Sequence, residues 1–212
     1  GGLRLMRKEK NVGRFDKNRE WFAKAREIIP WGTQTGAKRP EAYGELKDSV
    51  PFFVDKAKGA RFWDLDGNEF IDYRASLGPI ILGHAHDEVD EAVRRQLEKG
   101  VLYSMASPIE YEVAQILVDV VPCAEMVRFL KTGADAVSAC VRLARAYTGR
   151  DKILTSGYHG WHDAFFGVTR ANSRGVPQVV RDLSLPFTYN DLETAQKLAD
   201  EHQGEIAAIV GN

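Results

Sequence analysis

The sequence is short of cysteine, of long apolar runs and of any surplus of one charge, and each shortage removes a class of protein. Two cysteines, Cys123 and Cys140, cannot build a disulfide framework. Cys140 also falls on the apolar face expected for its helix, so a reducing cytoplasm is the simplest setting. No stretch approaches the roughly 20 apolar residues that cross a bilayer, and the basic N-terminal residues lack the apolar core of a secretion signal. With 29 basic and 30 acidic residues the formal net charge is −1, which leaves no global field to recruit nucleic acid or a membrane surface. Partners are therefore expected to be small molecules or protein. Repeats, low-complexity tracts and proline- or serine-rich linkers are missing too. What the chain does have is apolar material, 44% of its 212 residues, enough for a packed core.

The first thirteen residues, basic and glycine-containing, are expected to be poorly ordered. From Phe15 to Ile29, apolar residues at helical spacing predict an amphipathic helix that Pro30 closes. Trp31 to Pro40 has no apolar period and reads as a loop. Phe52 to Val54, Ala60 to Asp64 and Glu69 to Tyr73 predict short strands of an antiparallel meander, with Lys58-Gly59 and Asp66-Gly67 as turns. Leu77 to His86 is a glycine-punctuated apolar stretch in which His84 serves either a nearby site or the bracing of the loop. Asp87 to Lys99 predicts a helix with Val89, Val93, Gln96 and Leu97 on one face. Ser107-Pro108-Ile109-Glu110 opens another, with a capping serine, proline at the first position and glutamate at the third. Both apolar stripes are expected to be core.

The stretch Met126 to His162 organises the rest. Met126 to Leu130 reads as a buried strand. After Gly133 the period changes, and Val137, Cys140, Val141 and Ala144 fall on one helical face until Gly149. Lys152 to Thr155 resumes as a strand. A strand-helix-strand unit puts its first turn, Lys131-Thr132-Gly133-Ala134, at the carboxyl edge of a sheet, where open α/β folds bind ligands. Uncovered amides and the helix dipole suit that turn to a phosphate, although Thr132 as a plain cap and Gly133 as a plain turn residue explain it equally well. Asp135 in the first turn counts against an anion, though a carboxylate there also suits the dipole. The second strand ends in Gly157-Tyr158-His159-Gly160-Trp161-His162, whose aromatic residues between glycines suit a flat ligand. A metal site built from His84, His86, His159 and His162 is a weaker alternative, since no cysteine or acidic partner falls at a recognised spacing. A dinucleotide site is weaker still, for only Gly133 stands where three glycines are needed. Further on, Gln178 to Leu183 is expected as a strand, Asn190 to Glu193 as a capping box before a helix reaching about His202, and Ile206 to Val210 as a buried strand.

The run Lys131 to Val137, the following Arg142 to Lys152, the Tyr158-His159-Gly160 triplet, the Gly78 to His86 stretch and Phe62 to Asp72 together resemble the class III pyridoxal-phosphate aminotransferases, on the side of that family nearest glutamate-1-semialdehyde aminomutase. Several motifs in the right order cover most of the chain. The resemblance implies an α/β protein of fold type I, the aspartate-aminotransferase-like fold, in part: a mostly parallel sheet flanked by helices, preceded by an N-terminal helix and the antiparallel meander. It implies residues 1–75 as an N-terminal segment and 76–212 as an incomplete cofactor domain. Pyridoxal 5'-phosphate is the implied cofactor, with Thr132, Gly133 and Ala134 at its phosphate, Tyr158 stacked on its ring and His159 beside it. Thr33, Gln34 and Lys38 are implied to meet the substrate. The imine-forming lysine and the acid that protonates the pyridine nitrogen are expected beyond Asn212; Lys131 and Lys152 do not stand where the family carries that lysine. The implied function is the N-terminal part of an aminotransferase or aminomutase that acts as a homodimer on an amino donor and a keto or aldehyde acceptor. The alternative is a non-catalytic fragment of the same fold that binds phosphate or protein. Two departures are visible: Thr132-Gly133-Ala134-Asp135 replaces the usual Ser-Gly-Thr-Glu, and Leu77 stands where an aromatic is common before Gly78-Pro79.

Overall fold

The computed structural model describes residues 13–165 and 174–211, so twelve of the thirteen residues expected to lack order lie outside the described part. The chain divides into two compact units, Gly1–Met105 and Ala106–Asn212, each with its own three-stranded sheet.

In the first unit, α1 (Asp16–Ile28) precedes an antiparallel meander of β1 (Val54–Lys58), β2 (Arg61–Asp64) and β3 (Glu69–Ile71), followed by α2 (Asp87–Leu97). The meander turns at Gly59 and Gly67, whose φ angles of 56° and 83° suit glycine. Its first strand starts where the expected one ends, because the amides of Phe52 and Phe53 donate to Asn18 Oδ1 at 3.0 and 2.9 Å rather than to a ladder. Asn18 is completely buried (0% exposed), and its Nδ2 donates to Asp66 Oδ2 at 2.7 Å. Asp66 in turn accepts the amides of Lys17 and Asn18 at 2.9 and 3.0 Å. A carboxylate from the hairpin turn thus caps α1, whose own capping position holds Phe15 and offers no side-chain oxygen. Phe15, also buried, stacks on Phe70, and Phe70 stacks on its cross-strand partner Phe62 at 5.1 Å. Burial acts to raise the Asp66 carboxyl, yet the two amides, the Asn18 side chain and the Lys17 charge together hold it below the ordinary carboxylate range.

His84 braces the glycine-rich stretch. Its Nε2 meets Asp72 Oδ2 at 2.8 Å, and its backbone exchanges two 2.9 Å hydrogen bonds with Gly59. Burial acts to raise the Asp72 carboxyl, but His84 and the amides of Arg74 and Ala75 outweigh it and hold the group low. The tightest bends precede the glycines: Ala75, Ser76 and Leu77 take φ of 45°, 53° and 71° before Gly78 at 116°. Such left-handed residues cost of order 1–3 kcal/mol each. Asp72 Oδ1 offsets part of that cost by accepting the amides of Arg74 and Ala75.

The second unit runs α3 (Pro108–Val120), α4 (Gly133–Thr148), β4 (Lys152–Thr155), α5 (Gln178–Arg181), β5 (Ser184–Pro186), α6 (Leu192–Glu201) and β6 (Ile206–Val210), with strand order β5-β4-β6, all parallel. Ser107 and Glu110 form the expected capping box on α3, and Gly149 at φ 66° stops α4. Val141, Ile153 and Phe165 make the core, with Val137, Ala164, Ala208 and Val210 packed against them.

The structure departs from the sequence expectations at several elements. Met126 to Leu130 joins no ladder among the described residues, and Met126 is 93% exposed; an apolar run specifies a tendency to pair, and the partner lies outside it. The stripes of α2 and α3 are largely exposed rather than core, since periodicity shows which face is apolar and nothing about what covers it. Cys140 is exposed: the buried face of α4 centres on Ala134 and Val141, and at about 100° per residue Cys140 falls off its edge. Gln178 to Arg181 is a turn of helix after Pro177, so β5 begins only at Ser184. The cap of α6 is Asp191, which accepts the amide of Thr194 at 3.0 Å, one residue beyond the expected Asn190. β6 is only partly buried, Ile209 being exposed.

Candidate functional site

α4 is 16 residues long, and its start is closed by a reciprocal cap. Thr132 Oγ1 accepts the amide of Asp135 at 3.1 Å, while Asp135 Oδ2 accepts the amide of Thr132 at 3.1 Å and its hydroxyl proton at 2.8 Å. The Thr132 hydroxyl is therefore engaged as both donor and acceptor within the cap. Left over are the amides of Gly133 and Ala134, the first two helical positions, which no helical carbonyl can reach. A Cβ on Gly133 would meet nothing within 4 Å, so the space beside it is open.

The loop after β4 lies against this start. Gly160, at φ 114°, approaches so closely that a Cβ there would stand 2.5 Å from the Ala134 Cβ. Two residues on, His162 Nδ1 is 2.8 Å from Ser138 Oγ, and its Nε2 is 3.5 Å from Asp135 Oδ1. At the other end of the loop the hydroxyls of Thr155 and Ser156, both buried at the carboxyl end of β4, have no hydrogen-bond partner among the described residues.

Of the residues singled out in the sequence, Thr132, Gly133 and Ala134 thus form one helix start, with Gly160 against it. Tyr158 and His159 part company: Tyr158 is 54% exposed, whereas His159 is buried, with Nε2 2.7 Å from the Ser156 carbonyl oxygen and its ring edge-on to Phe165. Thr33, Gln34 and Lys38 belong to the first unit; Thr33 is half-buried and the other two are exposed. Their loop is held by Arg39, whose guanidinium lies 4.8 Å over the Trp31 ring and whose Nε donates to Gly36 O, and by Arg74, which donates to Tyr43 Oη and Ala37 O. Sequence reading missed the roles of Asp135, His162 and Ser138. The spacing of Thr132 and Asp135 is that of a capping box and signalled the first; nothing local signalled the link through His162. Among the described residues no group of three or more His, Cys, Asp or Glu side chains is placed to hold a metal ion.

Residues 42–211 match the model of the family described as aminotransferase class-III. The chain belongs to this family. It is 37% identical over 190 residues to 3-aminobutyryl-CoA aminotransferase of Cloacimonas acidaminovorans, covering 89% of this chain and 44% of that protein. To glutamate-1-semialdehyde 2,1-aminomutase of Desulforamulus reducens it is 39% identical over 206 residues, covering 92% and 47%. A transaminase solved with pyridoxal phosphate bound superposes with a TM-score of 0.82 at 31% identity, over 92% of this chain and 47% of that one. The chain spans about half the length of the curated relatives it matches. The family and the type I fold expected from the Lys131–Val137 and Tyr158–Gly160 motifs are those found. No helix among the described residues is long and apolar enough to cross a membrane.

Proposed function

We propose that this class-III aminotransferase chain supplies the phosphate seat of a pyridoxal-phosphate enzyme that moves an amino group between an amine or amino acid and a keto or aldehyde compound. The observation that carries the reading is the start of α4: two amides without helical partners, open space at Gly133, and a loop brought close by a residue without a side chain. That arrangement fits a phosphate ester, because the amides donate to its oxygens and the dipole of the 16-residue helix favours its charge. Pyridoxal phosphate, when bound, supplies an aldehyde that takes up the amino group and a ring that withdraws electrons from the adjacent carbon.

The chain's own residues bind and orient. Gly133 and Ala134 donate to the phosphate; Thr132, with Asp135, keeps their amides in place. Tyr158 lies over the ring, and His159, anchored on the Ser156 carbonyl, fixes the loop that carries it. Thr33, Gln34 and Lys38 meet a carboxylate or hydroxyl of the substrate. The reading includes the division into an N-terminal segment, 1–75, and a cofactor domain, 76–212, a homodimer, and a cytoplasmic setting. Titration with pyridoxal phosphate tests it. Gly133→Ala adds a methyl group where the fold has room, so stability holds while affinity falls about tenfold, the loss of roughly one charge-assisted hydrogen bond. Unchanged affinity in that variant would remove the seat from α4.

A further inference from the structure

We infer that His162 is a positioning residue for the phosphate seat, holding the Asp135 carboxylate back against the Thr132 cap so that the neighbouring amides stay free for an anion. The inference rests on the seat proposed above and deepens it. Asp135 occupies the third helical position, inside the turn where the dipole gathers anions, and a carboxylate loose there would itself compete for the Gly133 and Ala134 amides. Its two oxygens are instead drawn elsewhere. Oδ2 takes the Thr132 amide at 3.1 Å and hydroxyl at 2.8 Å, and Oδ1 faces His162 Nε2 at 3.5 Å, beyond hydrogen-bond length but within ion-pair reach. The imidazole is kept in that place from its far side, where Nδ1 meets Ser138 Oγ at 2.8 Å. Ser138 follows Asp135 by three residues, so both ends of the ring are read by one face of α4. The approach of Gly160 to Ala134 is what delivers His162, two residues later, to that face. Thr132, Asp135, His162 and Ser138 thus form one chain of contacts that begins at the cap and ends one turn further along the helix.

The test measures dissociation constants, in the intact protein, for pyridoxal phosphate and for pyridoxal, which lacks the phosphate. His162→Leu is expected to weaken pyridoxal phosphate about fivefold, the size of one partly exposed polar contact, and to leave pyridoxal unchanged. His162→Gln, whose amide nitrogen can stand near the Nε2 position, should recover most of that loss. In an Asp135→Asn background, where no carboxylate needs holding, His162→Leu should change little. A parallel loss for both ligands, or a His162→Leu effect undiminished by Asp135→Asn, would overturn the inference; so would affinities equal to the parent's. Should His162→Leu fail to fold, His162→Asn, which can keep the Ser138 hydrogen bond but falls short of Asp135, is read in its place against the same outcomes. A parent protein that binds pyridoxal phosphate no better than pyridoxal sinks the seat itself, whereas a discriminating parent with an equally discriminating His162→Leu sinks only the role of His162.

Discussion

At the start of α1, Asp66 takes the amides of Lys17 and Asn18 from 48 or more residues away; at the start of α4, Asp135 takes the amide of Thr132 from within the same turn. The first carboxylate sits across the helix end and closes it. The second is turned back on the capping residue, and the two amides between them stay open beside a glycine where an added Cβ would meet nothing within 4 Å. Both ends carry the same dipole and the same kind of acid. What separates a helix end that holds the fold from one suited to a ligand is therefore where the compensating charge is tethered, and in each case other residues do the tethering: Asn18 for Asp66, His162 and Thr132 for Asp135.

The contrast can be broken at either end. The largest effect is expected from Gly160→Val, which meets both the Ala134 contact and a φ of 114°; overpacking and backbone strain together cost about 4 kcal/mol. Denaturant unfolding should show it, and an unchanged midpoint would mean that the loop does not rest on α4. Next comes Asn18→Leu, which strands the amides of Phe52 and Phe53 in a buried place and unties Asp66. A loss of about 3 kcal/mol is expected, with affinity for pyridoxal phosphate unaltered. Asp66→Ala sharpens the comparison further: it removes the cap and the partner of Asn18 Nδ2 but leaves Asn18 on the amides of Phe52 and Phe53, at about 2 kcal/mol. The same carboxyl gives the smallest effect, a pH dependence. Its folded pKa lies below the unfolded value of about 3.9, so its contribution is complete above that value and is lost as the pH falls through the lower folded pKa. Asp66→Asn should flatten that part of the acid limb in a stability-versus-pH series; an identical acid limb would show that the cap carries no linkage.

Much of this was readable beforehand because it is local. The caps at Ser107 and Thr132, the glycine stop of α4 and the paired turns of the meander depend on residues within a few positions of one another, and the family motifs are contiguous strings. The failures share the opposite property. Met126 to Leu130 has the composition of a strand but no partner among the described residues, and the stripes of α2 and α3 say nothing of their cover. In the sequence Asn18 is one polar position among several on an amphipathic helix; only the fold brings it to the amides of Phe52 and Phe53 and to Asp66. At the candidate site the turn was legible, while Asp135 read as an objection, because its tether runs through a histidine 27 positions on that no spacing rule connects to it.

The contact between Gly160 and Ala134 also limits how this protein can drift. A replacement at 160 is excluded twice, by its neighbour and by its own dihedral, and trimming 134 back to glycine would remove only the Cβ contact: the Cα of 134 would still stand 2.9 Å from a Cβ at 160, and the dihedral would be unchanged. No second-site suppressor at 134 can therefore license a side chain at 160. A random library covering both positions should return survivors that differ at 134 and agree at 160.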